Sequence, residues 1–188
     1  MGRWEPNARG RLAQAALELY IEHGFEQTTV AKITERAGLT ERTFFRHFAD
    51  KREVLFAGTG RMLDHCVSAV AEAPDAATPM EMIAAALDAM ATEFQGRAEL
   101  IRQRQAVIDA HPELRERELI KLATWAAALT DAMCRRGVDE LTAHLTAETG
   151  IAVLKVAFAR WIAESDQRPL AQLIGECLDT LDTVTASR

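Results

Sequence analysis

Apolar residues recur along this chain at spacings of three and four, the pattern of helices that each bury one face. No stretch alternates apolar and polar residues over the length of a strand, tyrosine occurs once, and alanine is abundant. The spacing predicts nine helices, over residues 8–23, 29–36, 40–47, 51–72, 79–95, 97–110, 112–135, 140–164 and 168–185. Start and stop signals support them. Thr78-Pro79-Met80-Glu81 joins a capping threonine to proline in the first turn and a glutamate three residues on. Asp50 and Glu53 have the same spacing, and Pro112 opens another helix. Gly24, Gly38 and Gly137 sit where helices should stop. Ala73 to Thr78 is the one loop rich in small residues and proline. The expected fold is all-α.

The first fifty residues carry most of the chemistry. Leu12, Ala15, Ala16, Leu19 and Tyr20 make one face of the first helix, which breaks at Gly24. Thr28 or Thr29 can cap a short helix with Val30, Ile33 and Ala37 inside. Ala37-Gly38-Leu39 turns the chain, and Thr40 caps a helix that buries Phe44 and Phe48. Two short helices joined by a glycine-containing turn and braced by a longer one fit a helix-turn-helix. The outward face of the second offers Thr40, Arg42, Thr43, Phe45, Arg46 and His47 to base edges and phosphates. Spacing alone equally fits a plain helical hairpin with a solvated, charged face.

The run Gly24-Phe25-Glu26-Gln27-Thr28-Thr29-Val30, with Ile33, Ala37-Gly38-Leu39-Thr40, Thr43-Phe44-Phe45-Arg46-His47-Phe48 and Lys51, resembles the DNA-binding domain of the tetracycline-repressor (TetR) family. The resemblance extends over residues 9–55 without a gap. It implies a ligand-responsive, homodimeric transcriptional regulator, usually a repressor, that binds a palindromic double-stranded operator. It implies a DNA-binding domain over residues 1–50 and a helical regulatory and dimerisation domain over 51–188. By the same resemblance Thr28 or Thr29, His47 and Lys51 match phosphate or backbone contacts, and Thr40, Arg42 and Thr43 match positions that approach bases or backbone. Phe45 departs from the pattern, because the family usually has tyrosine there. Phenylalanine keeps the ring and loses the hydroxyl, which leaves a thymine methyl or a sugar as its contact.

Later helices suggest a partner and a pocket. From Ile151 to Ala163 the chain is apolar nearly all round, with Phe158 and Trp161 among its large residues. The last helix sets Leu170, Ile174, Cys177 and Leu181 on one face. Together they expose more apolar surface than one layer of neighbours covers, so a four-helix dimer interface is expected. Met90 and Phe94, Trp125 and Leu129, with Gln105 as an amide on an apolar face, are the expected lining of a site for an apolar small molecule. For each residue taken alone core packing is the stronger explanation, and Gln105 is the least easily explained that way. Gly58 and Gly60 mark the fourth helix as pliable or locally broken.

Composition narrows the classes. The net charge of -6 argues against a polyanionic partner when taken alone. It is uneven: residues 1–53 hold nine Lys/Arg and eight Asp/Glu, while residues 54–188 hold 13 and 20. Three widely spaced cysteines, Cys66, Cys134 and Cys177, form no CxxC pair, so reduced thiols and no metal site are expected. His65 and His111 read as surface or helix-end residues, and the Arg102/Arg104 pair as a solvated face. No apolar run reaches the roughly 20 residues of a membrane span, and Met1 to Gly10 lack a signal-peptide core. A cytoplasmic protein with no membrane partner and no cofactor is expected. The alternatives are a small all-α enzyme, for which no HExxH, phosphate loop, GxSxG or dinucleotide turn is found, and a helical module that binds something other than DNA.

Overall fold

The computed structural model describes residues 7–163 and 168–186; residue 164, the expected end of the eighth helix, lies outside them. The described residues are all-α, in two compact units. One comprises the chain up to Thr59 together with Glu99–Glu116. Its helices are α1 (Ala8–His23), α2 (Val30–Ala37), α3 (Glu41–His47), and, further along, α6 (Ala98–Asp109) and the opening of α7 (Pro112–Arg135). Leu12, Ala16, Ile33, Phe44, Ile108 and Leu114 are wholly buried in its core. The expected inner face of α1 is buried throughout.

The expected helix over 51–72 is two pieces, a 3-10 turn at Glu53–Phe56 and α4 at Thr59–Glu72. The reason lies in Val54, Leu55 and Phe56, which are all buried. Three consecutive side chains fan across more than half of an α-helix and cannot share one face. The backbone instead winds tightly after Asp50, whose carboxylate accepts the N–H groups of Arg52 (2.8 Å) and Glu53 (3.2 Å). The Thr59 hydroxyl then donates to the Phe56 carbonyl at 2.9 Å. Arg104, expected on a solvated face, hooks this turn to α6: its Nε donates to the Leu55 carbonyl at 2.6 Å and its guanidinium lies over the Phe56 ring.

The second unit comprises Gly60–Ala98 and the chain from Arg117 onward. It holds α4, α5 (Pro79–Phe94), most of α7, α8 (Glu140–Ala163) and α9 (Leu170–Ala186). Thr78 and Glu81 form the expected reciprocal cap of α5. Helix α8 approaches α5 closely because Ala143, Ala147, Gly150 and Ala157 give it a slim face. A Cβ at Gly150 would overlap the Ile83 side chain. The guanidinium of Arg136 donates to the carbonyls of Val70, Ala71, Ala73 and Pro74 (2.7–3.0 Å), which satisfies groups that the end of α4 would leave unpaired. Cys66 is buried, its thiol donates to the Ala86 carbonyl, and burial pushes its pKa up to about 12, so it stays a thiol.

Candidate nucleic-acid interface

The turn between α2 and α3 is fixed at both ends. Thr29 caps α2 by accepting the N–H of Lys32, and Thr40 caps α3 by accepting that of Thr43. Between them Gly38 takes the left-handed conformation (φ 63°). Its N–H reaches the Glu35 carbonyl, and the Leu39 N–H reaches that of Thr34. This doubly bonded ending needs a residue that tolerates positive φ. Arg11 donates to the Ala37 carbonyl, and Arg36 pairs with Glu22 (2.7 Å) and Glu18 (3.4 Å). Helix α2 is thus held on α1, and α3 follows at a set angle.

On α3, Phe44 points inward while Arg42, Phe45 and Arg46 point to solvent. Phe45 is 55% exposed, its ring edge-on to that of Phe44. Among the described residues, no hydrogen bond or ion pair engages the side chains of Arg42 or Arg46. Thr40 and Thr43 share a hydroxyl–hydroxyl bond of 3.0 Å at the start of the helix. The face therefore carries two free guanidiniums, two hydroxyls and an apolar ring, the groups that contact phosphates, base edges and a thymine methyl.

His47 is half-buried, and its Nε2 is enclosed without a hydrogen-bond partner. Burial holds its pKa below the usual imidazole value, with Arg46 and Arg9 adding to the effect. Arg9 was not singled out from the sequence. Its Nε donates to the Ala57 carbonyl (2.9 Å) and its guanidinium lies 5.0 Å from the centre of the Phe48 ring. The only sequence signal for it is its place in the first turn of α1.

Two of the expected contact residues are spent inside the protein. Thr28 is wholly buried, its hydroxyl placed at the carbonyls of Gly24 (2.9 Å) and Leu19 (3.2 Å). Of the threonine pair, Thr29 is on the surface. The Lys51 ammonium donates to the carbonyls of Phe25 (2.9 Å), Thr28 (3.2 Å) and Glu26 (3.3 Å) and lies over the Phe25 ring. Tyr20 donates to the Lys51 carbonyl at 2.6 Å, and burial raises its pKa. Lys51 thus clamps the turn between α1 and α2.

Of the residues expected to line a ligand site, Met90, Trp125 and Leu129 are buried in the second unit. Gln105 belongs to the first, where its amide donates to Asp109 at 2.9 Å and accepts from Arg104 at 3.4 Å. Phe94 packs on Phe158 and Trp161, with ring centres 6.0 Å away in both cases. One aromatic cluster thereby joins a residue expected in the pocket to two expected at the dimer interface. Trp161, Leu170 and Ile174 are buried within the protomer, so they offer a partner no surface. Phe158, Cys177 and Leu181 are partly exposed. The exposed large apolar residues of α8 are Leu141, Leu145 and Val156, with Val184 on α9. The stretch from Ile151 to Ala163, apolar nearly all round, gives no sign of which of its sides faces out.

Comparison with known proteins places this geometry. Residues 12–57 match the bacterial regulatory proteins of the tetR family, and residues 77–186 match the MftR C-terminal domain. The transcriptional regulator TcmR of Streptomyces glaucescens is 35% identical over 82 residues, 44% of this chain and about a third (36%) of TcmR. MftR of Mycobacterium tuberculosis is 24% identical over 184 residues, covering 96% of this chain and 92% of MftR. Among solved structures, SmeT, the repressor of a Stenotrophomonas maltophilia efflux pump, superposes with a TM-score of 0.62 at 21% identity, over 94% of this chain and 89% of SmeT. Bacillus subtilis FadR in complex with stearoyl-CoA gives 0.61 at 20%, over 92% and 96%. No helix among the described residues is long and apolar enough to cross a membrane. The chain belongs to the TetR family of bacterial regulatory proteins and is a DNA-binding transcriptional regulator rather than an enzyme.

Proposed function

We propose that the chain represses transcription by binding a palindromic operator as a homodimer, and that an apolar small molecule releases it. The observation that carries the reading is the outer face of α3, where Arg42 and Arg46 stand exposed and unpaired beside Thr40, Thr43 and Phe45. Arg42 and Thr43 would reach base edges, while Arg46, His47 and Thr29 would hold phosphates. A two-fold dimer presents two such helices to half-sites roughly 34–36 Å apart, or a multiple of that. The partly exposed Phe158, Cys177 and Leu181, with the exposed Leu141, Leu145, Val156 and Val184, supply apolar surface for that pairing.

The ligand reading rests on Met90, Phe94, Trp125 and Leu129, apolar side chains of one helical unit. SmeT in complex with triclosan and FadR with stearoyl-CoA, whose acyl chain is apolar, share the fold. A ligand that binds the DNA-free state better must weaken DNA binding by the same factor. Selection of bound duplexes from a random pool by the full chain tests the first half of the reading. It should return inverted repeats, and recovery of no preferred sequence contradicts it. Titrating apolar ligands against the recovered duplex tests the second half: a saturating ligand that leaves operator affinity unchanged removes the coupling.

A further inference from the structure

Three donors from two separate parts of the chain meet beside the helix-turn-helix. They are Glu26 in the turn after α1, His111 between α6 and α7, and Glu113 in the first turn of α7. One ligand atom from each lies within 4.8 Å of the other two. The imidazole Nδ1 stands 4.0 Å from Glu113 Oε1, beyond hydrogen-bond reach. The frame around them is built. The Phe25 ring packs on the imidazole with centres 5.0 Å apart. The Lys51 ammonium holds the Phe25 and Glu26 carbonyls, and the His111 carbonyl accepts the N–H groups of Leu114 and Arg115.

A second observation concerns charge. Among the described residues, neither the Glu26 nor the Glu113 carboxylate forms an ion pair with a lysine or arginine, and the nearby Lys51 donates to three carbonyls. The Arg52 guanidinium attracts Glu113 from beyond ion-pair distance, and a cation seated between the two carboxylates would offset their mutual repulsion. His111 also lines an open cleft of about 380 Å³, so an ion from solution can reach it.

We propose that Glu26, His111 and Glu113 bind one divalent transition-metal ion, with water in the remaining positions. One imidazole and two carboxylates suit zinc and its first-row neighbours, whereas magnesium prefers oxygen donors alone. Around tetrahedral zinc the donors stand roughly 3.4 Å apart, given bond lengths of about 2.1 Å. The exposed Glu26 side chain supplies the adjustment. No metal is expected from the sequence, which has no CxxC pair or histidine cluster, and Glu26 lies far along the chain from His111 and Glu113. The bound ion would tie the turn before α2 to the turn before α7, whatever DNA the protein binds.

The test is calorimetric titration of the full chain, freed of metal, with zinc chloride and separately with magnesium chloride, at about pH 8 where free imidazole is neutral. The wild type should take up zinc saturably. Glu26→Gln with Glu113→Gln, near-isosteric and checked for an unchanged melting curve, should bind it at least tenfold more weakly, and magnesium should give no saturable heat. Nitrogen resonances of His111 in the wild type should shift on adding zinc, a readout that needs no variant. Zinc affinity unaltered in the double variant, an unshifted His111, or magnesium binding as tight as zinc would each overturn the proposal.

Discussion

Arg42 and Arg46 lie one turn apart on α3, exposed and unpaired, whereas Arg11, Arg36 and Arg104 are each bound to a carbonyl or a carboxylate of the same unit. That contrast separates the proposed DNA contacts from braces more sharply than residue type does. Arg42→Ala should cost about 1–3 kcal/mol of operator affinity and relax preference at one base position, if the guanidinium reads a guanine edge. Affinities across a set of single-base operator variants check this; equal losses on every sequence would make Arg42 a phosphate contact. His47 makes a separate prediction. Burial, with Arg46 and Arg9, lowers its folded pKa below the usual value of about 6.5. Below that pH the unfolded chain takes up a proton that the folded chain resists, so stability falls as pH falls; above it the residue contributes nothing. Between about pH 7.5 and about pH 5.5, His47→Gln should therefore lose less stability than the wild type in urea denaturation. An equal loss would show that the imidazole titrates freely in the folded protein.

Helix boundaries were largely legible, because capping threonines, Pro79, Pro112 and the stop glycines act locally. The break at 57–58 was not, since it depends on three successive side chains finding one core, which spacing within the chain cannot report. The same limit applies to Thr28 and Lys51. Their residue types suit phosphate, and only the folded turn shows carbonyls already occupying them. Replacing Lys51 with methionine keeps the stem and removes the clamp on the turn before α2. The mutant should melt at a lower temperature, and its affinity should keep the wild-type dependence on salt. A slope smaller by about one would instead assign Lys51 a phosphate.

The whole molecule carries -6 and belongs to a family of DNA-binding regulators, a combination that requires its positive charge to be local. Residues 1–53 are close to neutral, and α3 presents the two unpaired guanidiniums of the proposed DNA face. The dimer face was the least legible part, since burial inside the protomer and burial against a partner leave the same apolar pattern. Ile174 and Trp161 turn inward, while Val156 and Leu145 remain outside. Val156→Glu with Leu145→Glu should give folded monomers by sedimentation, whereas Ile174→Glu should unfold the chain, because its charge would have no water to reach. A double variant that remains dimeric would move the interface elsewhere. The central claim is that the face of α3 binds duplex DNA through its free guanidiniums. Affinity for a selected duplex, measured across salt concentrations for the wild type and for Arg42→Ala with Arg46→Ala, tests it most directly. The account predicts a steep fall with salt for the wild type, because phosphate contacts release counterions, and a weaker, shallower dependence for the double variant. Equal affinity and equal slope in the two proteins would contradict it.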